Sequence, residues 1–140
     1  MTSASPVLGG CLCGAVRYRY DGPVGPATYC HCADCRRVTG SAFNVGVRFE
    51  LDKFRFDRGR AREFTKRAES GNLISRAFCA DCGSPLFTAS PVHPEHIFVK
   101  AGSLDDPRLV RPHAQIWIDS AVPWGIIDEA LPAHRRGRER

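Results

Sequence analysis

No stretch of the 140-residue sequence approaches the ~18 apolar residues of a membrane-spanning helix. Its first ten residues, Met1-Thr-Ser-Ala-Ser-Pro-Val-Leu-Gly-Gly10, carry neither a basic start nor an apolar run. They do not read as a secretory leader, and the expected location is the cytoplasm. Nothing reads as a Ser–His–Asp arrangement, and Gly22 to Gly25, broken by proline, cannot form a Gly-rich phosphate loop. Internal repeats, low-complexity tracts and domain-dividing linkers are lacking too, so one domain over residues 1–134 is expected. The strand–helix–strand context of a thioredoxin-like redox pair is also missing.

Charge excludes less than it first suggests. The formal net charge is +5, but Arg135 to Arg140 holds four arginines and one glutamate. The remaining body is close to neutral once thiolates around a metal are counted. Residues 135–140 are expected to be a solvated, disordered basic tail, and nucleic acid is not the expected partner. Homo-oligomerisation is left open.

What the sequence does have is seven cysteines. They stand as Cys11-Leu-Cys13, Cys30-His-Cys32-Ala-Asp-Cys35 and Cys79-Ala-Asp-Cys82. In a reducing cytosol, recurring C-x-C and C-x-x-C pairs are metal ligands rather than disulfides, and an odd number leaves one thiol over in any pairing scheme. Soft thiolates favour zinc or an iron–sulfur cluster, with zinc preferred here. Cys11, Cys13, Cys79 and Cys82 come from distant parts of the chain, as ligands of a closed, structural zinc should. Gly83 beside Cys82 allows the sharp turn such a site needs. Cys30, Cys32 and Cys35 lie within six residues and leave a fourth position open to water or a substrate thiol. That open position is the mark of a catalytic metal. A single zinc with spare buried thiols is the plainer alternative.

Neighbouring residues refine the second set. In an extended segment His31 points away from Cys30 and Cys32, so it is read as packed or solvent-facing rather than ligating. His113 is the better external candidate, for ligation or proton transfer. Arg36 and Arg37 follow the cluster directly and are candidates for holding an anionic cofactor or compensating the site's charge.

The rest of the chain reads as short strands separated by Gly, Pro and Asp. Val16, Tyr18 and Tyr20 alternate with Arg17 and Arg19, the period of a half-buried strand. Further strands are expected at Phe43 to Phe49, Arg62 to Lys66, Ile74 to Phe78, Ile97 to Ala101 and Ala114 to Ile118. Only Ala33 to Val38 looks helical. The fold class is therefore mainly β, with little helix.

Several spaced motifs together resemble one family. Gly10-Cys-Leu-Cys-Gly14, Cys30-His-Cys-Ala-Asp-Cys-Arg-Arg37 and Thr39-Gly-Ser-Ala-Phe43 are followed by Ser70-Gly-Asn72, Arg76-Ala-Phe-Cys79 and Asp81-Cys-Gly-Ser-Pro-Leu86. Gly102-Ser-Leu-Asp-Asp-Pro107, His113, Trp117, Pro123-Trp124 and Leu131-Pro132 complete the series. The pattern is similar to that of the glutathione-dependent formaldehyde-activating enzymes, a family that includes centromere protein V. The resemblance implies a β-tent of short antiparallel sheets around a structural zinc on Cys11, Cys13, Cys79 and Cys82. It also implies a catalytic zinc on Cys30, Cys32 and Cys35, giving two Zn²⁺ per chain. The implied activity is that of a carbon–sulfur lyase joining glutathione, or a similar thiol, to formaldehyde or another small aldehyde. The alternative from the residues is a non-catalytic, zinc-stabilised module contacting chromatin or protein.

Overall fold

The structure is a computed structural model that describes residues 5–137. Ten strands and one α-helix follow in the order β1 Val7–Gly10, β2 Arg17–Tyr20, β3 Ala27–Cys30, α1 Ala33–Thr39, β4 Asn44–Glu50, β5 Phe54–Arg58, β6 Ala61–Arg67, β7 Leu73–Cys79, β8 Pro85–Ala89, β9 His96–Lys100 and β10 Pro112–Ile116. The remaining helical segments are short 3-10 turns. The mainly β expectation holds.

Two sheets share these strands, one ordered β1-β2-β5 and one ordered β10-β3-β4-β9-β8-β7-β6. All pairings are antiparallel except that of β10 with β3. Their facing surfaces make the core. Tyr18 and Tyr20 of the small sheet pack against Val47, Phe49, Ile97 and Val99 of the large one, all at or near zero exposure. The Tyr20 and Phe49 rings stack with centroids 3.8 Å apart and planes inclined by 4°. Burying each such side chain stabilises the fold by roughly 1.5–3 kcal/mol. The tyrosine hydroxyls are satisfied, since Tyr18 meets Ser103 Oγ at 2.7 Å and Tyr20 donates to the Pro23 carbonyl at 2.7 Å.

The other face of the large sheet positions chemistry. Register pairs Cys30 with Asn44 and Gly46 with Lys100, while Arg76 pairs with Thr88 and Thr88 with Phe98. Alternation along β4 and β9 therefore places Cys30, Asn44, Lys100 and Arg76 on the same side, opposite the core residues Val47 and Val99. Helix α1 lies over that side. Its Asp34 reaches Lys66 of β6 at 2.7 Å and Arg76 of β7 at 3.8 Å.

Two expectations are corrected. The strand expected over Ala114 to Ile118 ends at Ile116, because Trp117 takes a left-handed conformation, φ 59°, that breaks the extended run. Arg135 and Arg136, expected to belong to a solvated tail, are hydrogen-bonded to the body. Trp117 N–H donates to the Arg136 carbonyl at 3.1 Å and Asp119 N–H to the Arg135 carbonyl at 3.0 Å, so both arginines are tied to the body. Residues 138–140 of that tail lie outside the described residues.

Candidate metal centres

The seven cysteines are free thiols and gather into two clusters in which every sulfur lies within 4.8 Å of the others. One holds Cys11, Cys13, Cys79 and Cys82; the other holds Cys30, Cys32 and Cys35. Spacing had indicated the same division. No His, Asp or Glu joins either cluster among the described residues.

The first cluster is built from two tight turns. Cys11 and Cys13 follow β1, and Cys79 and Cys82 span the turn from β7 to β8. Each turn closes on a glycine with positive φ, Gly14 at 83° and Gly83 at 78°. In both turns the glycine N–H returns to the carbonyl of the first cysteine. The turned-in backbone aims donors at sulfur. Val16 N–H points at Cys11 Sγ (3.2 Å), Ala15 N–H at Cys13 Sγ (3.5 Å) and Asp81 N–H at Cys79 Sγ (3.4 Å). Ser84 ties the turns together, accepting from Leu12 N–H at 3.0 Å while its hydroxyl lies 3.2 Å from Cys82 Sγ. Those contacts to Ser84 hold the Cys82 thiol down at about 5. Neighbouring sulfurs stand 3.6 and 3.8 Å apart. Thiolates on a tetrahedral zinc at ~2.3 Å would be ~3.8 Å apart, so the donor set fits that ion. Cys79, Val16 and Leu86 form a small apolar core directly behind it.

The second cluster sits where β3 runs into α1. Cys30 ends the strand, Cys32 caps the helix with Sγ accepting from Cys35 N–H at 3.3 Å, and Cys35 lies in the first turn. Crowding makes the thiols unlike one another. Hydrogen bonds from Cys30 and Cys35 push Cys32 down to about 2, while the same contacts and burial push Cys30 up. A soft divalent ion bound by all three would displace their protons. Three sulfurs could supply three corners of a tetrahedral site, and no His, Cys, Asp or Glu among the described residues offers a fourth.

His31, between Cys30 and Cys32, is 2 % exposed and turned away from the metal side, as alternation requires. Its Nε2 lies 3.2 Å from Gln115 Oε1. Gln115 Nε2 donates to the Asp128 carbonyl at 2.6 Å, which fixes the amide and leaves its oxygen for the histidine. His31 therefore carries its proton on Nε2. His113, the expected external partner, is not brought to the sulfurs. It is exposed at the β10 bulge and lines surface grooves with Arg111, His134 and Gly137. Arg37 is exposed, whereas Arg36 is half-buried with its Nε buried and without a hydrogen-bond partner.

Two cations that sequence reasoning did not single out lie on the same sheet face. Lys100, 7 % exposed, donates to Asn44 Oδ1 at 2.8 Å, and Arg76 is 9 % exposed. The only sequence signal for Lys100 is a charged residue closing the apolar run Ile97-Phe-Val99, and strand register alone reveals where it faces.

Comparison with known proteins agrees with this arrangement. A provisionally named glutathione-dependent formaldehyde-activating enzyme of Halomonas elongata is 34% identical over 107 residues, covering 71% of this chain and 68% of that protein. The fold is shared with a Rhodobacter sphaeroides protein of known crystal structure, with TM-score 0.57 and 24% identity over 72% of this chain and 92% of that one. The family model for the glutathione-dependent formaldehyde-activating enzyme matches residues 6–120, which hold both cysteine clusters, and the chain belongs to that family.

Proposed function

We propose that the protein is a zinc-dependent carbon–sulfur lyase that joins a thiol, glutathione or a close analogue, to formaldehyde or another small aldehyde. The single observation that carries this reading is the cluster of three sulfurs, Cys30, Cys32 and Cys35, which no His, Asp or Glu among the described residues joins. Cys11, Cys13, Cys79 and Cys82 would hold a structural zinc, and Cys30, Cys32 and Cys35 a catalytic one. When bound there, zinc supplies the means of keeping a fourth, external thiol deprotonated at neutral pH, where a free thiol with pKa ~8.5 is mostly protonated.

The residues themselves do the positioning. Cys32 caps α1 and Cys30 ends β3, so the open corner is fixed by backbone rather than by mobile side chains. Arg36, half-buried on α1 directly after the cluster, is the guanidinium placed to hold a carboxylate of the thiol substrate through its terminal nitrogens. In the reaction the thiol S–H bond breaks and a sulfur–carbon bond forms. The carbonyl π bond opens, and its oxygen ends with the proton as a hydroxymethyl group. Nothing is oxidised or reduced.

Elemental analysis and an adduct assay test the reading together. Two zincs per chain are expected, with formation of the S-hydroxymethyl adduct accelerated, as followed by NMR exchange between glutathione and ¹³C-formaldehyde. Cys35→Ser should stay folded with one zinc and lose the acceleration, whereas Cys82→Ser should fail to fold. A structural site contributes on the order of 10–16 kcal/mol, comparable to a whole domain's net stability. Equal unfolding by both variants would overturn the division of roles.

A further inference from the structure

The outer face of the large sheet buries positive charge beside the three-cysteine cluster without balancing it. None of the ion pairs among the described residues involves Lys100, whose one hydrogen bond is to the neutral Asn44. Arg76 and Lys66 share the single carboxylate of Asp34. Lys66, its side chain 52% exposed, lies closer to Asp34 than Arg76 does, at 2.7 against 3.8 Å, so that pair is neutral and the buried Lys100 and Arg76 leave two positive charges. Burying an ammonium without a counter-charge is costly, so the negative partner belongs nearby. Burial and the neighbouring Arg76 pull the Lys100 ammonium down, while the cysteines, Cys35 foremost, act in the opposite direction. Asn44, which accepts from Lys100, is the cross-strand partner of Cys30, and that puts Lys100 on the face that carries the cluster.

Three thiolates on a divalent ion carry one negative charge, which leaves one positive charge over. A fourth ligand that is itself an anion closes the balance; a neutral ligand does not. We propose that Lys100, supported by Arg76, is the specificity-determining residue of this centre, favouring a thiolate over water or a neutral ligand at the open corner. The inference deepens the lyase reading and rests on its second metal. It assigns to the protein's own cations the task of tolerating a second negative charge in a half-buried place. Asn44 sets the geometry, since it faces Cys30 across the β3–β4 ladder and holds the Lys100 nitrogen toward it.

The test uses full-length protein loaded with Co²⁺, whose visible spectrum reports both the number of metals bound and the arrival of another sulfur. Lys100→Met removes the charge and keeps most of the stem; Lys100→Arg keeps the charge. Both should take two metals. Glutathione and the uncharged-tailed 2-mercaptoethanol should each bind Lys100→Met about tenfold or more weakly than wild type. Lys100→Arg should bind both close to wild type. Unchanged thiol affinity in Lys100→Met overturns the proposal. A loss confined to glutathione overturns it as well, because the cations would then serve the carboxylates rather than the sulfur. If wild-type protein takes only one metal, the lyase reading fails first, and that is seen before any thiol is added. Should Lys100→Met not fold, Arg76→Met and Lys100→Gln are measured against the same criterion.

Discussion

His31 Nε2 and Gln115 Oε1 meet at 3.2 Å across the parallel β3–β10 ladder, joining the segment that carries Cys30, Cys32 and Cys35 to β10. Both side chains are buried, at 2 % and 1 % exposure, and Gln115 passes the connection on to the Asp128 carbonyl. Removing the Gln115 amide leaves the buried His31 ring nitrogen without a partner, which costs about 1–3 kcal/mol, whereas the exposed Asp128 carbonyl still accepts from Leu131 N–H. Gln115→Leu should therefore lower stability by about 1–3 kcal/mol. It should also weaken metal retention at Cys30, Cys32 and Cys35 more than at the four-cysteine site. Chelator competition followed by metal counting reads both, and equal loss from the two sites would contradict it.

Gly83 is a test of backbone rather than of space. A Cβ there would meet nothing within 4 Å, yet φ is 78°. Gly83→Ala should cost about 1–2 kcal/mol through left-handed strain alone. Thermal unfolding of the zinc-loaded variant checks this, and an unchanged Tm would show that the turn relaxes freely.

Asp105 gives a pH-dependent prediction. Arg17 donates to it through both guanidinium nitrogens and holds its carboxyl below the usual carboxylate range. A folded-state pKa below the unfolded one stabilises the fold above ~4, and that stabilisation disappears as pH falls through the folded value. The pair is half-exposed, with side-chain exposures of 33% and 49%, so its worth is at most ~1 kcal/mol. Asp105→Asn should thus be less stable than wild type by at most ~1 kcal/mol, and equally so at about pH 8 and pH 6, both above the range where the carboxyl titrates, as read by denaturant titration of the zinc-loaded protein.

The parts of this molecule legible in sequence are those set by local pattern. Cysteine spacing divided the sulfurs as the structure does, because C-x-C and C-x-x-C are properties of neighbouring residues. Helix α1 and strands β2, β4, β6, β7, β9 and β10 appear within two residues of where periodicity places them. Four strands were not legible. β1 ends in two glycines, β8 opens on proline, β3 is four residues long with a ligand at its end, and the Phe54–Phe56 alternation of β5 is too brief to distinguish from a loop. The parallel pairing of β3 with β10 and the facing of Lys100 depend on partners more than 50 residues away, which no local window contains.

That long-range pairing sets an order of assembly as the chain is synthesised. Everything the four-cysteine turns require has emerged by Ser84, whereas the Cys30 loop gains its lateral brace only when Gln115 and the residues around Asp128 arrive. A growing chain can gather the four-cysteine cluster while the Cys30 loop is still unbraced, so premature termination after β9 would leave one cluster complete and the other without its support. Residues made late thus brace a loop made early.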